Sequence, residues 1–112
     1  MRSEPISKHR LAELAKNTFG DMIKAVVDVE RELMAVDMEL HADGEMYLIE
    51  NGSEQANLWG INLHPGQSDE HFVEFDSLIN MRPFQGNRSR GVEDKDTQEQ
   101  IIKLVNTLVT ND

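Results

Sequence analysis

Between Phe72 and Gly91 the chain reads FVEFDSLINMRPFQGNRSRG, a regular alternation that breaks off into a run of polar side chains and glycine. Val73, Phe75, Ile79 and Met81 fall on one side, and Glu74, Asp76, Asn80 and Arg82 on the other. That period predicts a strand over Phe72–Met81 with one buried and one solvated face. A chain with such a strand needs a partner strand, and NLWGINL at Asn57–Leu63 supplies one, with Trp59, Ile61 and Leu63 on its apolar side. HPGQSDEH between them carries Pro65-Gly66, which suits a type II turn, so the two runs read as an antiparallel hairpin.

Upstream, IKAVVDVE at Ile23–Glu30 is rich in β-branched residues, and LMAV at Leu33–Val36 follows across a charged bend, predicting a first hairpin. Two helices frame these strands. One is capped by Ser7, presents Leu11, Leu14, Ala15, Thr18 and Phe19, and closes at Gly20. The other starts at Asp94 or Asp96 and carries the stripe Ile101, Ile102, Val105, Leu108 and Val109. His41–Glu50 is read as a third helix closed by Gly52, with Ala42, Met46 and Ile49 on its apolar face; read as a strand, it would instead align His41, Asp43 and Glu45. The fold expected is α+β and two-layered, with about four mainly antiparallel strands in two hairpins and the N- and C-terminal helices packed on one face. The 112 residues suit a single domain, 1–112, with frayed ends at 1–5 and 110–112.

Charge narrows the classes of partner. The net charge is −10, which disfavours nucleic acid and anionic membrane surfaces. Thirteen acids and one base, Arg31, lie between Val26 and Asp76, whereas Ser77–Val92 holds Arg82, Arg88 and Arg90 and no acid. The arginines read either as neutralising acidic neighbours or as an anion site. There is no cysteine, hence no disulfide and no thiol chemistry. Neither a signal-peptide core nor an apolar run near ~18 residues is seen, so a cytoplasmic protein is expected.

No GxSxG, HExxH, P-loop or GxGxxG motif occurs, so no cofactor is expected, and His64 and His71 lack metal-ligand spacing. What remains is a set of donors on the polar face and in the loop: Asn62, Asn80, Arg82, Gln85, Gly86, Asn87 and Arg88. These could hold a small polar or anionic ligand, the arginines by paired hydrogen bonds and Gly86 by giving backbone amides access. His41, with Asp43 or Asp76, could supply acid–base chemistry to the same ligand.

The strings HADGE, NGS, LWGINL and FDSLINMRPFQGNRSR together resemble an uncharacterised family of small bacterial and archaeal proteins, domain of unknown function 5674. The resemblance runs from about Pro5 to Val109, and SLIN-x-RP-x-QGNRS is its most specific part. It covers His41, Asp43, Trp59, Gly60, Asn62, Ser77, Asn80, Arg82, Gln85, Gly86, Asn87 and Arg88. This chain departs from the pattern at Asp37-Met38, where small or glycine residues are expected, and at Gly44, where alanine is common. The resemblance implies no activity. Three readings follow: a non-catalytic binding or interaction domain using the strand and loop at 72–91, a small enzyme using His41 with Asp43 or Asp76 on an anionic substrate, or a structural homodimer with the loop as subunit contact.

Overall fold

A computed structural model describes residues 5–110. In chain order the elements are β1 (Ile6–Ser7), α1 (Lys8–Lys16), β2 (Ile23–Asp28), β3 (Leu33–Val36), α2 (His41–Glu50), β4 (Leu58–Leu63), α3 (Asp69–Phe72), β5 (Val73–Glu74), α4 (Lys95–Leu108) and β6 (Val109–Thr110). Short 3-10 turns lie at Gln55–Asn57, Leu78–Asn80 and Pro83–Gln85. The architecture is α+β. An antiparallel sheet has the order β3-β2-β4-β5, and β1 and β6 form a small parallel pair. Of the ends expected to fray, residues 1–4 and 111–112 lie outside the described residues, while Thr110 pairs with Ser7. Among the described residues no helix is long and apolar enough to cross a membrane.

β2 is central and buried on both faces, which is why IKAVVD reads as a nearly continuous apolar run. Ile23, Ala25 and Val27 join Trp59, Ile61 and Leu63 in a core with Leu11 and Ala15 of α1 and Ile101, Leu104, Val105 and Leu108 of α4. Val26, Leu33, Ala35 and Leu58 form a second cluster with Leu48 of α2. The sheet is therefore covered on both faces, where two layers were expected. The first hairpin turns without Gly or Asn because Asp28 does their work: its Oδ1 accepts the Glu30 and Arg31 N–H groups at 3.0 and 2.9 Å, and Glu32 takes a left-handed φ of 55°.

Local signals set the helix ends. Ser7 Oγ accepts the Arg10 N–H, Asp94 Oδ2 accepts the Thr97 N–H, and Gly20 sits at φ 96°. α2 ends in a paired cap: Ser53 N–H reaches the Leu48 carbonyl and Gly52, at φ 105°, donates to Ile49. Two expected helix faces are corrected. In α2 the buried positions are His41, Gly44 and Leu48, and the stripe Ala42, Met46 and Ile49 faces solvent. A Cβ on Gly44 would lie 3.0 Å from a Val26 methyl, so glycine lets this helix settle close to the sheet, and the buried face follows from that approach. In α4 Leu104 is buried where Ile102 was expected, and Ile102 is exposed.

The largest correction concerns Phe72–Met81. Only Val73 and Glu74 pair with β4, opposite Leu63 and Asn62, and the chain then leaves the sheet for the 3-10 turns. Pro65-Gly66 does turn, with Gln67 N–H on the His64 carbonyl, but Gly66 is not among the positive-φ glycines, so the turn is not type II.

Candidate functional site

With β5 stopping at Glu74, the outer edge of β4 below Asn62 has no strand beside it. Side chains from residues 80–85 take the strand's place. Asn80, fully buried, accepts the Gly60 N–H on Oδ1 at 2.8 Å and donates Nδ2 to the Gly60 carbonyl at 3.0 Å, so its carboxamide reproduces one residue of a ladder. Arg82 continues the edge by donating Nη2 to the Leu58 carbonyl at 2.7 Å and Nη1 to the Gln55 carbonyl. Gln85 Nε2 donates to the Ala56 carbonyl at 2.9 Å. The Arg82 guanidinium also lies over the Trp59 ring, 4.3 Å from its centre, which places the cation on the negative face of the indole. Burial pulls the Arg82 pKa below its ordinary value, opposed by the charge of Glu45.

Asn87 fixes the other end of the loop. Its Nδ2 donates to the carbonyls of Asn80, Ser89 and Gly91, at 2.7, 3.1 and 2.8 Å, and its Oδ1 accepts the Glu93 N–H at 2.8 Å. Arg82 and Asn87 exchange backbone bonds around the turn Pro83–Gly86, where Gly86 has φ 85°. Glu93 Oε2 in turn accepts the N–H groups of Arg88 and Ser89, which holds its carboxyl below the usual range. Arg90 donates Nε to Asp76 at 2.6 Å. Arg88 is exposed.

The His41 region lies on the α2 side of β4. His41 is buried, with Nε2 2.8 Å from the Ile61 carbonyl; since a carbonyl only accepts, Nε2 carries the proton. Desolvation lowers the His41 pKa, partly opposed by that bond and by Asp76, so the ring is neutral. Asn62 donates to Glu74 at 2.9 Å, and the bonds from Asn62 and then His64 hold the Glu74 carboxyl below its ordinary pKa. Gly60 lies against both structural groups: a Cβ there would be 2.6 Å from Ser77 Oγ and 3.1 Å from His41 Cδ2. Among the described residues no group of three or more His, Asp or Glu is placed to hold a metal.

The structure thus gathers Asn80, Arg82, Gln85, Gly86 and Asn87 into one loop, but the bonds of its donors run to the protein's own backbone. Asp76 is close enough to His41 for its charge to act on the ring, while Asp43 lies in a groove with Met38 and Tyr47. The loop exposes Leu78, Met81 and Phe84 by 67, 46 and 85 %; Met81 was expected on the buried side of a strand, and Leu78 and Phe84 were not among the expected site residues. Their spacing of three is the period of a 3-10 helix and conflicts with strand alternation, and it was the available signal.

The chain matches, over residues 1–108, a family model described as "Protein of unknown function (DUF5674)". It belongs to that family. No curated protein and no solved structure matches it. The match takes in β1 to α4, so the family's span includes the β4 edge and the loop that closes it.

Proposed function

We propose that this member of the family is a non-catalytic interaction domain whose contact surface is the loop at 77–91, engaged through Leu78, Met81 and Phe84 with Arg88 as a polar contact. One observation carries the reading. A loop held by the bonds of Asn80, Arg82 and Asn87 leaves Phe84 85 % exposed at its tip. A fixed backbone displaying large apolar groups loses little entropy when a partner covers them. The flank of α2 that carries Glu45, close enough to Arg82 to act on its charge, also carries the exposed Ala42, Met46 and Ile49, which widens the apolar surface.

The occupant is another protein with an apolar and basic face. A charge of −10 disfavours nucleic acid and anionic membranes and also opposes a second copy, and residues 37–56 hold six acids and no Lys or Arg. A donor-lined site for a small anion has less support because Asn80, Arg82, Gln85 and Asn87 already bond carbonyls. An acid–base role for His41 has less support because its ring is buried and held on Ile61.

The test is a photo-reactive benzoylphenylalanine at position 84, irradiated in the source cells. An adduct with a distinct basic protein, lost in Met81→Ser, supports the reading. An adduct with the chain itself would establish the homodimer instead, and no adduct would remove the loop as a contact surface.

A further inference from the structure

The opposite edge of the sheet carries a second surface. β3 is an outer strand, LMAV, with none of the lysine or proline that commonly guards an edge. The Asp37 N–H bonds the Lys24 carbonyl, and Ala25 stands opposite Val36, so residues 33, 35 and 37 turn their backbone groups toward β2. The N–H and C=O of Met34 and Val36 therefore point outward, and among the described residues nothing bonds them. Left-handed Glu32 and Asp37, at φ 55° and 68°, bound the strand at both ends, so the open edge is one short segment.

Both flanks are open. On the α2 face lies a groove of 320 Å³ lined by Ala35, Val36, Asp37, Met38, Asp43 and Tyr47. On the α4 face, at the turn end, lies a groove with Val29, Leu104 and the stem of Lys103. An added strand would place alternate side chains in these two grooves. The first presents two carboxylates, Asp37 and Asp43, and the second offers Val29 and Leu104 as its apolar contacts, with Glu32, Gln100, Lys103 and Thr107 around them.

We propose that β3 accepts an extended segment of a partner protein by strand addition, the segment alternating Lys or Arg with aliphatic residues. Charge selects this occupant over a second copy. Two copies paired antiparallel about Ala35 would bring the turn of each, with Glu30 and Glu32 around Arg31, beside Asp37 and Glu39 of the other, a surplus of acid at both ends of the contact. Of the bases nearby, Arg31 already bonds the Asn51 carbonyl and Ser53 Oγ, and Lys103 lies off the strand in the second groove.

The probe is a fluorescent Lys-Val-Lys-Val-Lys-Val-Lys peptide titrated onto the full chain, with two controls: the same peptide N-methylated at every central residue, and the variant Val36→Pro. Proline at 36 deletes an outward N–H and no β2–β3 bond, and replaces a half-buried apolar side chain by another apolar one. Strand addition predicts saturable binding, weakened at least about tenfold by either control, as loss of a backbone bond implies. It also predicts that the Met34 and Val36 amides become protected from hydrogen exchange. Equal binding by the N-methylated peptide and to Val36→Pro would show attraction by charge alone and overturn the proposal, as would no binding at millimolar peptide. A dimer in sedimentation that disappears in Val36→Pro would overturn the choice of occupant.

Discussion

Asn80→Ala should be the most damaging single change in the loop. The fully buried side chain makes three bonds, accepting from Gly60 N–H at 2.8 Å and donating to the carbonyls of Gly60 at 3.0 Å and Arg90 at 2.9 Å. Alanine reaches none of them. A net contribution of about 1 kcal/mol per bond, plus the penalty for stranding the Gly60 N–H in the interior, gives a loss of about 3–4 kcal/mol. For a domain of this size each kcal/mol moves the midpoint by about 4–8 °C, so Tm should fall by at least about 12 °C. Asn80→Asp separates the acceptor from the donors: it keeps the bond from Gly60 N–H and faces two carbonyls with a carboxylate. It should be at least as unstable as alanine near neutral pH and recover as acid protonates it. Urea unfolding of the three proteins, followed by fluorescence of the single tryptophan, measures the losses. A loss below about 1 kcal/mol for Asn80→Ala would refute the argument that this side chain stands in for a strand.

Gly60→Ala puts a methyl 2.6 Å from Ser77 Cβ and Oγ and should cost about 1–3 kcal/mol by urea unfolding, partly restored when Ser77→Gly is added. Arg82→Lys keeps the charge and loses the fork that spans Gln55 and Leu58 and the stacking on Trp59; calorimetry should show a loss of about 2 kcal/mol. His41, whose folded pKa is depressed below the unfolded value of about 6.5, binds more protons unfolded, so its contribution is complete above that pH and is lost as pH falls below it. Thermal melts should show Tm declining from pH 7 to 5, and His41→Gln should flatten that slope.

How legible the fold was depended on the range of the interactions. Ser7, Gly20, Gly52 and Asp94 act within one turn of helix, and each end could be placed from the sequence. The valines of β2 were as readable, because a strand buried on both faces has few polar residues. Residues 75–81 were misread for a non-local reason. Alternation through Val73 and Phe75 justified a strand, yet the edge it would have covered is satisfied by side chains, and periodicity does not show that substitution. The candidate site divides in the same way. Asn80, Arg82, Gln85 and Asn87 were legible as donors, but the carbonyls that Arg82 and Gln85 meet lie 24–29 positions earlier in the chain. Of the apolar side chains those bonds leave outside, Leu78 and Met81 fell within the expected strand, and Phe84 in the polar run beyond it.

The central claim is that the loop's polar residues complete the sheet and leave its apolar residues to face a partner. Hydrogen exchange at the Gly60 amide tests it most directly, because among the described residues its acceptor is the Asn80 side chain. The account predicts protection matching the amides of β2 in the intact chain, and loss of that protection at Gly60 in Asn80→Ala under conditions where β2 stays protected. Fast exchange at Gly60 in the intact chain would contradict it, showing an open edge beside a loop that is not fixed.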